Sequence, residues 1–161
     1  MSKTAPRPAR RSARPHKFAV VASRFNSYYV DAMVCHATEE LRALAPGANI
    51  SVQRVPGAFE IPVVVRELAS RNKADAIIAC GVILKGETNH AQNLSRSVTD
   101  ALQRIAVDRG VPVINAVLSF DNEMQARERC LGEKINRGTE AAGAAVEIAR
   151  TISNLRRKKH G

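Results

Sequence analysis

The sequence predicts an α/β fold, a three-layer sandwich whose central four-stranded, mainly parallel sheet is flanked by helices. Two observations predict it. Short apolar runs alternate with amphipathic stretches long enough to serve as crossover helices. The third run, Asp75–Leu84, is apolar along almost its whole length, as expected of a strand covered by helices on both faces. A length of 161 residues with 45% hydrophobic residues suits one domain.

The spacing of apolar residues and the positions of Pro and Gly predict the first secondary-structure elements. Residues 1–16 are rich in Pro and Arg without periodicity, which predicts a disordered basic arm. Lys17–Ser23 is a short apolar run and is expected to be a buried strand. Apolar residues at helical spacing predict a helix from an N-cap at Ser27 to Leu44. Ile50–Val55 is expected to be the second strand.

The same signals predict two more strands and four more helices in the rest of the chain. In chain order they are a helix over Phe59–Ser70, a strand over Asp75–Leu84, a helix from His90 to Gly110, a strand over Val111–Leu118, and helices over 122–131 and 138–155.

The net charge of +10 is concentrated at the two ends of the chain. Residues 1–17 carry six cations and no acid, and residues 156–161 carry four more, so Phe18–Leu155 has a formal net charge of zero. The folded domain is therefore expected to span 17–155, between the basic arm and a basic C-terminal tail. Nucleic acid is expected to bind through these tails if at all.

The cysteines and the lengths of the apolar runs indicate the cellular compartment expected for the protein. Cys35, Cys80 and Cys130 are widely spaced, odd in number and set among apolar neighbours, which predicts buried free thiols and a cytoplasmic protein. No apolar run approaches 18 residues, so no membrane span is expected. The Arg-rich start is also typical of an organelle transit peptide, although its brevity and its prolines favour a plain arm.

Ligands of open parallel sheets bind beyond the carboxyl ends of the strands, and this rule selects four segments. They are Ser23–Ser27, Val55–Glu60, Gly81–His90 and Ser119–Asp121. Phe25 can stack on a planar heterocycle or fold back onto its own helix. Phe59 and Glu60 offer a ring and a carboxylate, although a favourable interaction with the helix dipole would equally explain Glu60.

The segment Lys85–His90 follows a buried strand and opens a helix. Its free amides, a hydroxyl and the helix dipole suit an anion such as phosphate. His90, just inside the helix, can exchange protons near neutral pH. The alternative is that Thr88 caps the helix and His90 is a solvated first-turn residue. These residues alone predict a pocket for a heterocycle and a phosphate, with histidine-assisted proton transfer as a possible addition.

Six sequence blocks, in order, resemble the lumazine synthase family. They are R-F-N at 24–26, V-P-G-A-F-E-I-P at 55–62, G-V-I-L-K-G-E-T-N-H at 81–90, V-P-V-I-N-A-V-L-S at 111–119, Q-A-R-E-R at 125–129 and N-R-G at 136–138. The resemblance implies a flavodoxin-like topology. It also implies condensation of 5-amino-6-(D-ribitylamino)uracil with 3,4-dihydroxy-2-butanone 4-phosphate to 6,7-dimethyl-8-ribityllumazine, with no metal or organic cofactor. This is the penultimate step of riboflavin biosynthesis.

The resemblance also implies residue roles. Seven residues match those that contact the pyrimidine ring or the ribityl chain: Phe25, Ala58, Phe59, Glu60, Val82, Ile83 and Leu84. Glu87 and Thr88 match the amides that bind the phosphate, Arg129 matches the cation that pairs with it, and His90 matches the proton donor.

Three positions depart from the family pattern. Asn115 and Arg137 match substrate-binding positions of the family, but Asn115 stands where many members have Phe, and Arg137 stands where many have Lys. The segment 130–138 differs from the linker of members that form capsids. The resemblance implies a homopentamer with sites between subunits, and twelve pentamers in a 60-subunit shell are one possible larger assembly, with a decamer as another.

Two other functions compete with the synthase. A nucleic-acid-binding or packaging protein would explain the basic ends of the chain, although the body is neutral and no aromatic residue interleaves with the terminal cations. A catalytically silent relative that binds a flavin or lumazine is the other, and the presence of both His90 and Arg129 argues against it.

Overall fold

A computed structural model of the chain describes residues 14–71 and 73–159. Its sheet has the order β2-β1-β3-β4, and every pair of neighbouring strands is parallel. The strands are β1 (Lys17–Ser23), β2 (Asn49–Val55), β3 (Ala76–Leu84) and β4 (Val113–Phe120). The predicted fold class and flavodoxin-like topology are confirmed, and the parallel pairing extends to the whole described sheet.

Helices cover both faces of this sheet. They are α1 (Ser27–Leu44), α2 (Ile61–Ser70), α3 (His90–Arg109), α4 (Glu123–Cys130) and α5 (Arg137–Lys158), and a 3-10 turn over Ala58–Glu60 precedes α2. Alternate residues of β3 enter two separate cores: Ile78 packs with α1, α4 and α5, whereas Ile77 packs with α2 and α3. This arrangement explains why β3 is apolar along its length. None of the helices in the described ranges is both long and apolar enough to cross a membrane.

Several boundaries differ from the predictions by one to three residues. The residue that precedes α1 as its cap is Asn26, in the left-handed conformation with φ 57°, and not Ser27. Strand β4 begins at Val113 and not at Val111, because the intervening Pro112 has no N–H to donate to the ladder. Helix α5 continues to Lys158, three residues beyond its predicted end.

The cysteine prediction is confirmed for two of the three thiols. Cys80 and Cys130 are buried, and burial raises their pKa values to about 12 and about 11. For Cys35 the prediction is wrong, because this residue lies on the solvent side of α1, beside the stripe that enters the core. A side-chain hydrogen bond to Glu39 raises the pKa of Cys35.

The predicted basic arm lies mostly outside the described residues, which begin at Arg14. The end of that arm is held against the domain by Asp75. One carboxylate oxygen pairs with the Arg14 guanidinium at 2.7 Å, and the other accepts a hydrogen bond from the Lys17 amide at 2.7 Å. Asp75 therefore fixes the point at which the N-terminal segment enters the sheet.

Candidate active site

A cavity of about 520 Å³ opens at the carboxyl edge of the sheet. It is formed by the segments that follow β1, β2 and β3, together with the first turns of α3. Its lining includes Ser23, Phe25, Asn26, Gly57, Ala58, Phe59, Glu60, Val82, Ile83, Leu84, Gly86, Thr88, His90, Ala91 and Leu94. Three of the four predicted segments thus meet in one place.

Two aromatic side chains line this cavity while remaining open to solvent. Phe25 is 71% exposed and Phe59 is 68% exposed, whereas the side chains of the hydrophobic core are buried. The exposure of Phe25 contradicts the alternative in which its ring folds back onto α1. An exposed aromatic face beside apolar strand residues is suited to stacking on a planar ring.

Backbone hydrogen bonds fix the position of Phe25. Its amide donates to the Pro56 carbonyl at 3.0 Å, which joins the loop after β1 to the loop after β2. The neighbouring Asn26 side chain donates to the Val82 carbonyl at 2.7 Å, which joins the same loop to β3. Asn tolerates the left-handed backbone conformation that this geometry requires.

Glu60 has a structural role as well as a place in the cavity wall. One of its carboxylate oxygens accepts a hydrogen bond from the Gly57 amide at 2.9 Å and so closes the 3-10 turn. Glu60 therefore stabilises the start of its own helix, as the alternative interpretation of this carboxylate predicts. The same turn presents Ala58 and Phe59 to the cavity.

The segment from β3 to α3 is exposed and lies against the end of β4. The Lys85 amide donates to the Phe120 carbonyl at 3.0 Å, and the Lys85 ammonium pairs with Asp121 at 2.5 Å. The hydrogen bond from Lys85 holds the pKa of Asp121 below its ordinary value. The alternative in which Thr88 caps α3 is wrong, because the cap residue is Asn89 and Thr88 Oγ1 makes only a long contact of 3.4 Å with the His90 amide.

A second cavity of about 510 Å³ adjoins the first and shares Gly86, Thr88 and Ala91 with it. Glu87 lines this cavity and is absent from the lining of the first. Ser119 and Arg96 lie in the same lining. Arg96 is not among the predicted site residues, and its only signal in the sequence is its position two turns into the helix that follows the predicted anion-binding segment.

The remaining predicted residues lie elsewhere on the chain. Asn115, Arg129 and Arg137 line a third cavity of about 370 Å³, which shares no lining residue with the first. Arg137 pairs with Glu140 at 2.5 Å, and the Asn115 amide group donates to Thr99 Oγ1 at 3.1 Å. A single chain therefore brings His90 together with Phe25 and Phe59 but not with Arg129.

Asn136 fixes the backbone beside this third cavity. Its buried side chain donates to the carbonyls of Cys130 and Gly132 at 2.9 and 3.0 Å and accepts from the amide of Gly138 at 2.8 Å. These bonds cap α5 and join it to the end of α4. Arg129 and Arg137 consequently extend from two helices in a fixed relation.

Comparison with known proteins agrees with this arrangement. A family model described as 6,7-dimethyl-8-ribityllumazine synthase matches residues 15–153. The chain belongs to the lumazine synthase family. The resemblance carried by the six sequence blocks is thereby confirmed.

Curated members of this family are similar over nearly their whole length. A 6,7-dimethyl-8-ribityllumazine synthase of Nitratidesulfovibrio vulgaris strain DP4 is 38% identical over 144 residues, which cover 89% of this chain and 92% of the relative. The protein of the same name from Stenotrophomonas maltophilia strain R551-3 is 36% identical over 146 residues, covering 90% of this chain and 94% of the relative.

Proposed function

We propose that this chain condenses 5-amino-6-(D-ribitylamino)uracil with 3,4-dihydroxy-2-butanone 4-phosphate to form 6,7-dimethyl-8-ribityllumazine, releasing phosphate and water. The observation that carries the proposal is a cavity that combines exposed aromatic rings with a polar helix start, in a chain of the lumazine synthase family. The catalytic domain would span 17–155 and work in the cytoplasm.

The pyrimidine would occupy the wall formed by Phe25 and the end of β3. Hydrogen bonds fix the backbone at Phe25 and Asn26, so stacking on the Phe25 ring would require no ordering of the loop. The backbone of Val82, Ile83 and Leu84 would meet the polar edge of the ring. Beyond it, the turn with Ala58, Phe59 and Glu60 would contact the ribityl chain.

The ketone phosphate would lie at the start of α3. The amides of Glu87 and Thr88 precede the helix, where free N–H groups and the positive end of the helix dipole favour an oxyanion. Arg129 would supply the pairing cation, for which a planar guanidinium is well suited. His90 lines the cavity from the first turn of α3 and would donate or accept the proton.

The chemistry proposed for this site needs little beyond positioning and proton transfer. The amine of the uracil would form an imine with the ketone, after which phosphate would leave and the second ring would close. Two reactants held in register can gain up to about 7–11 kcal/mol from proximity and orientation. The fixed loops around Phe25 and Gly57 support such a role.

We further propose that the complete site lies between subunits of a homopentamer. Arg129 and Arg137 line a cavity separate from that of His90, so each chain would offer one wall at each of two faces. A heterologous contact of this kind closes into a five-membered ring when the rotation between neighbouring subunits is one fifth of a turn. Association of twelve such pentamers into a shell is a further possibility that the segment 130–138 would influence.

Mixing the protein with the two substrates should produce the absorbance and fluorescence of a lumazine.

Replacing Arg129 with Ala should weaken use of the phosphorylated ketone. We expect an increase in its KM of about 10- to 100-fold, because a charge-assisted pair with phosphate is worth about 1.5–3 kcal/mol. The KM of the uracil should change less than threefold.

The matched control for that measurement is Arg127→Ala, two residues away on the same helix, where the guanidinium lies over the Tyr28 ring at 5.6 Å. It should leave the KM of the ketone close to that of the parent protein. Equal KM increases in the two variants would contradict the role of Arg129, and no lumazine from the unaltered protein would contradict the proposed function.

A further inference from the structure

The two basic terminal segments of this chain meet at one edge of the molecule. Arg14 lines the same cavity as Arg156 and Arg157, a space of about 330 Å³. The Arg156 guanidinium donates to the Gly110 carbonyl at 3.2 Å, which places the end of α5 beside the turn that leads into β4. Both segments therefore leave the domain at the amino ends of the strands.

This edge carries an unusual density of exposed cations. Seven described residues form what we term the basic edge: Arg14, Lys73, Arg109, Arg156, Arg157, Lys158 and Lys159, all exposed. The acids nearest to them in sequence are Asp75, which pairs with Arg14, and Asp108. The positive potential of the basic edge is therefore only partly neutralised.

The sequence holds further cations shortly before Arg14. Lys3, Arg7, Arg10 and Arg11 precede Arg14 by at most eleven residues, and residues 1–17 hold no acid. Because Phe18–Leu155 is neutral overall, the whole net charge of +10 belongs to segments that start at this edge. Cations near the C-terminus of α5 interact favourably with the helix dipole, but this interaction explains only part of the excess positive charge.

We propose that the basic edge binds nucleic acid through its phosphate backbone, without reading base sequence. Four of its seven cations are arginines, and the planar group of arginine pairs well with phosphate. Residues 1–16 and 156–161 contain no Phe, Tyr or Trp, so the binding does not depend on stacking of bases. The same segments offer only Met1 as a large apolar side chain, which argues against insertion into a membrane.

The position of this surface separates it from the proposed chemistry. The substrate cavity lies beyond the carboxyl ends of β1, β2 and β3, and the basic edge lies at their amino ends. Nucleic acid held there leaves the cavity open. The inference consequently stands whether or not the proposed reaction is correct.

The test measures binding of a fluorescein-labelled 20-base-pair DNA duplex of arbitrary sequence by fluorescence anisotropy. The NaCl concentration is varied from about 50 to about 200 mM, a range over which binding to phosphates weakens steeply. Three full-length variants, each changing three charges, are compared with the unaltered protein. They are K73Q/R109Q/R156Q, R157Q/K158Q/K159Q and, as the matched control on α2, α3 and α4, R66Q/R104Q/R127Q. Lumazine formation and the mass of the particle are measured for all of them.

We expect the unaltered protein to bind at 50 mM NaCl and to lose affinity steeply with salt. Each of the first two variants should bind at least about tenfold more weakly and show a shallower salt dependence, by up to about 2.7 in the log–log slope. The control should bind within twofold of the unaltered protein, and lumazine formation should be unchanged in the first two variants. A scrambled duplex should bind equally well.

Three results would overturn the proposal. They are no binding of the duplex at 50 mM NaCl, equal weakening by the control variant, and tighter binding to vesicles of phosphatidylcholine and phosphatidylserine than to the duplex. The last would identify the surface as a site for anionic lipid. Loss of lumazine formation without loss of duplex binding would instead concern the proposed function.

Discussion

Replacing His90 with Ala should lower kcat by about 100-fold while leaving the fold intact, because positioned acid–base groups typically contribute at least this much. The side chain is exposed on the first turn of α3 and lines the substrate cavity, so its removal leaves no buried void. The residual rate should come from holding the two reactants together. Steady-state production of the lumazine measures the effect.

The control for His90 is His36→Ala, a histidine on α1 that lines none of the three cavities of the proposed site. Its kcat should stay within about twofold of the parent value, since no acid–base role is removed. Circular dichroism should show the same helix content in both variants. A His90→Ala enzyme as fast as the His36→Ala enzyme would remove the histidine from the proposed mechanism.

The largest effect on stability is expected for Gly138→Ala. A Cβ atom at Gly138 would lie 2.2 Å from the Met33 carbonyl oxygen, a backbone atom of α1 that cannot rotate away. The substitution must therefore separate α5 from α1 or distort the Asn136 cap that receives the Gly138 amide. We expect a loss of about 3 kcal/mol in the free energy of unfolding, measured by urea denaturation at fixed protein concentration.

Gly143→Ala is the matched control within the same helix. Apart from the backbone of its own helix, no atom of the described residues lies within 4 Å of the Cβ position there, so the change removes only the backbone flexibility of glycine. It should stabilise the protein by about 0.5–1 kcal/mol. A Gly138→Ala protein that unfolds at the same urea concentration as Gly143→Ala would contradict the close helix contact.

Those two glycines show what the sequence could and could not predict. The N-R-G block at 136–138 is visible as a motif, but the need for glycine at Gly138 comes from a carbonyl more than one hundred residues earlier in the chain. Core positions, in contrast, follow from local periodicity, and the four strands appear where the apolar runs predict them. Cys35 shows the limit of that method, because an apolar neighbourhood in sequence does not fix the side of a helix.

The charged residues from 156 onward predict a tail, whereas α5 extends to Lys158. Arg and Lys are good helix formers, and cations at a helix C-terminus interact favourably with the dipole, so the helix continues through Arg156, Arg157 and Lys158. Charge alone is therefore a poor signal for the end of a helix.

The site was predictable to the extent that topology fixes it. In a sheet with the order β2-β1-β3-β4, the crevice forms where the connections diverge, between β1 and β3. Segments after β1, β2 and β3 therefore share a cavity, whereas Ser119, next to the last residue of the edge strand β4, lines the second and third cavities. No periodicity or spacing within one chain predicts the meeting of Arg129 and His90 across a subunit boundary that we propose.

Subunit mixing tests that composite site most directly. The His90→Ala and Arg129→Ala proteins are unfolded together in equal amounts, refolded and assayed, with each variant refolded alone as the control. If each site takes one wall from each of two chains in a ring, about one quarter of the sites in random mixtures combine an intact His90 with an intact Arg129. We predict recovery of about a quarter of the parent activity, and a mixture no faster than the average of its two components would contradict the account.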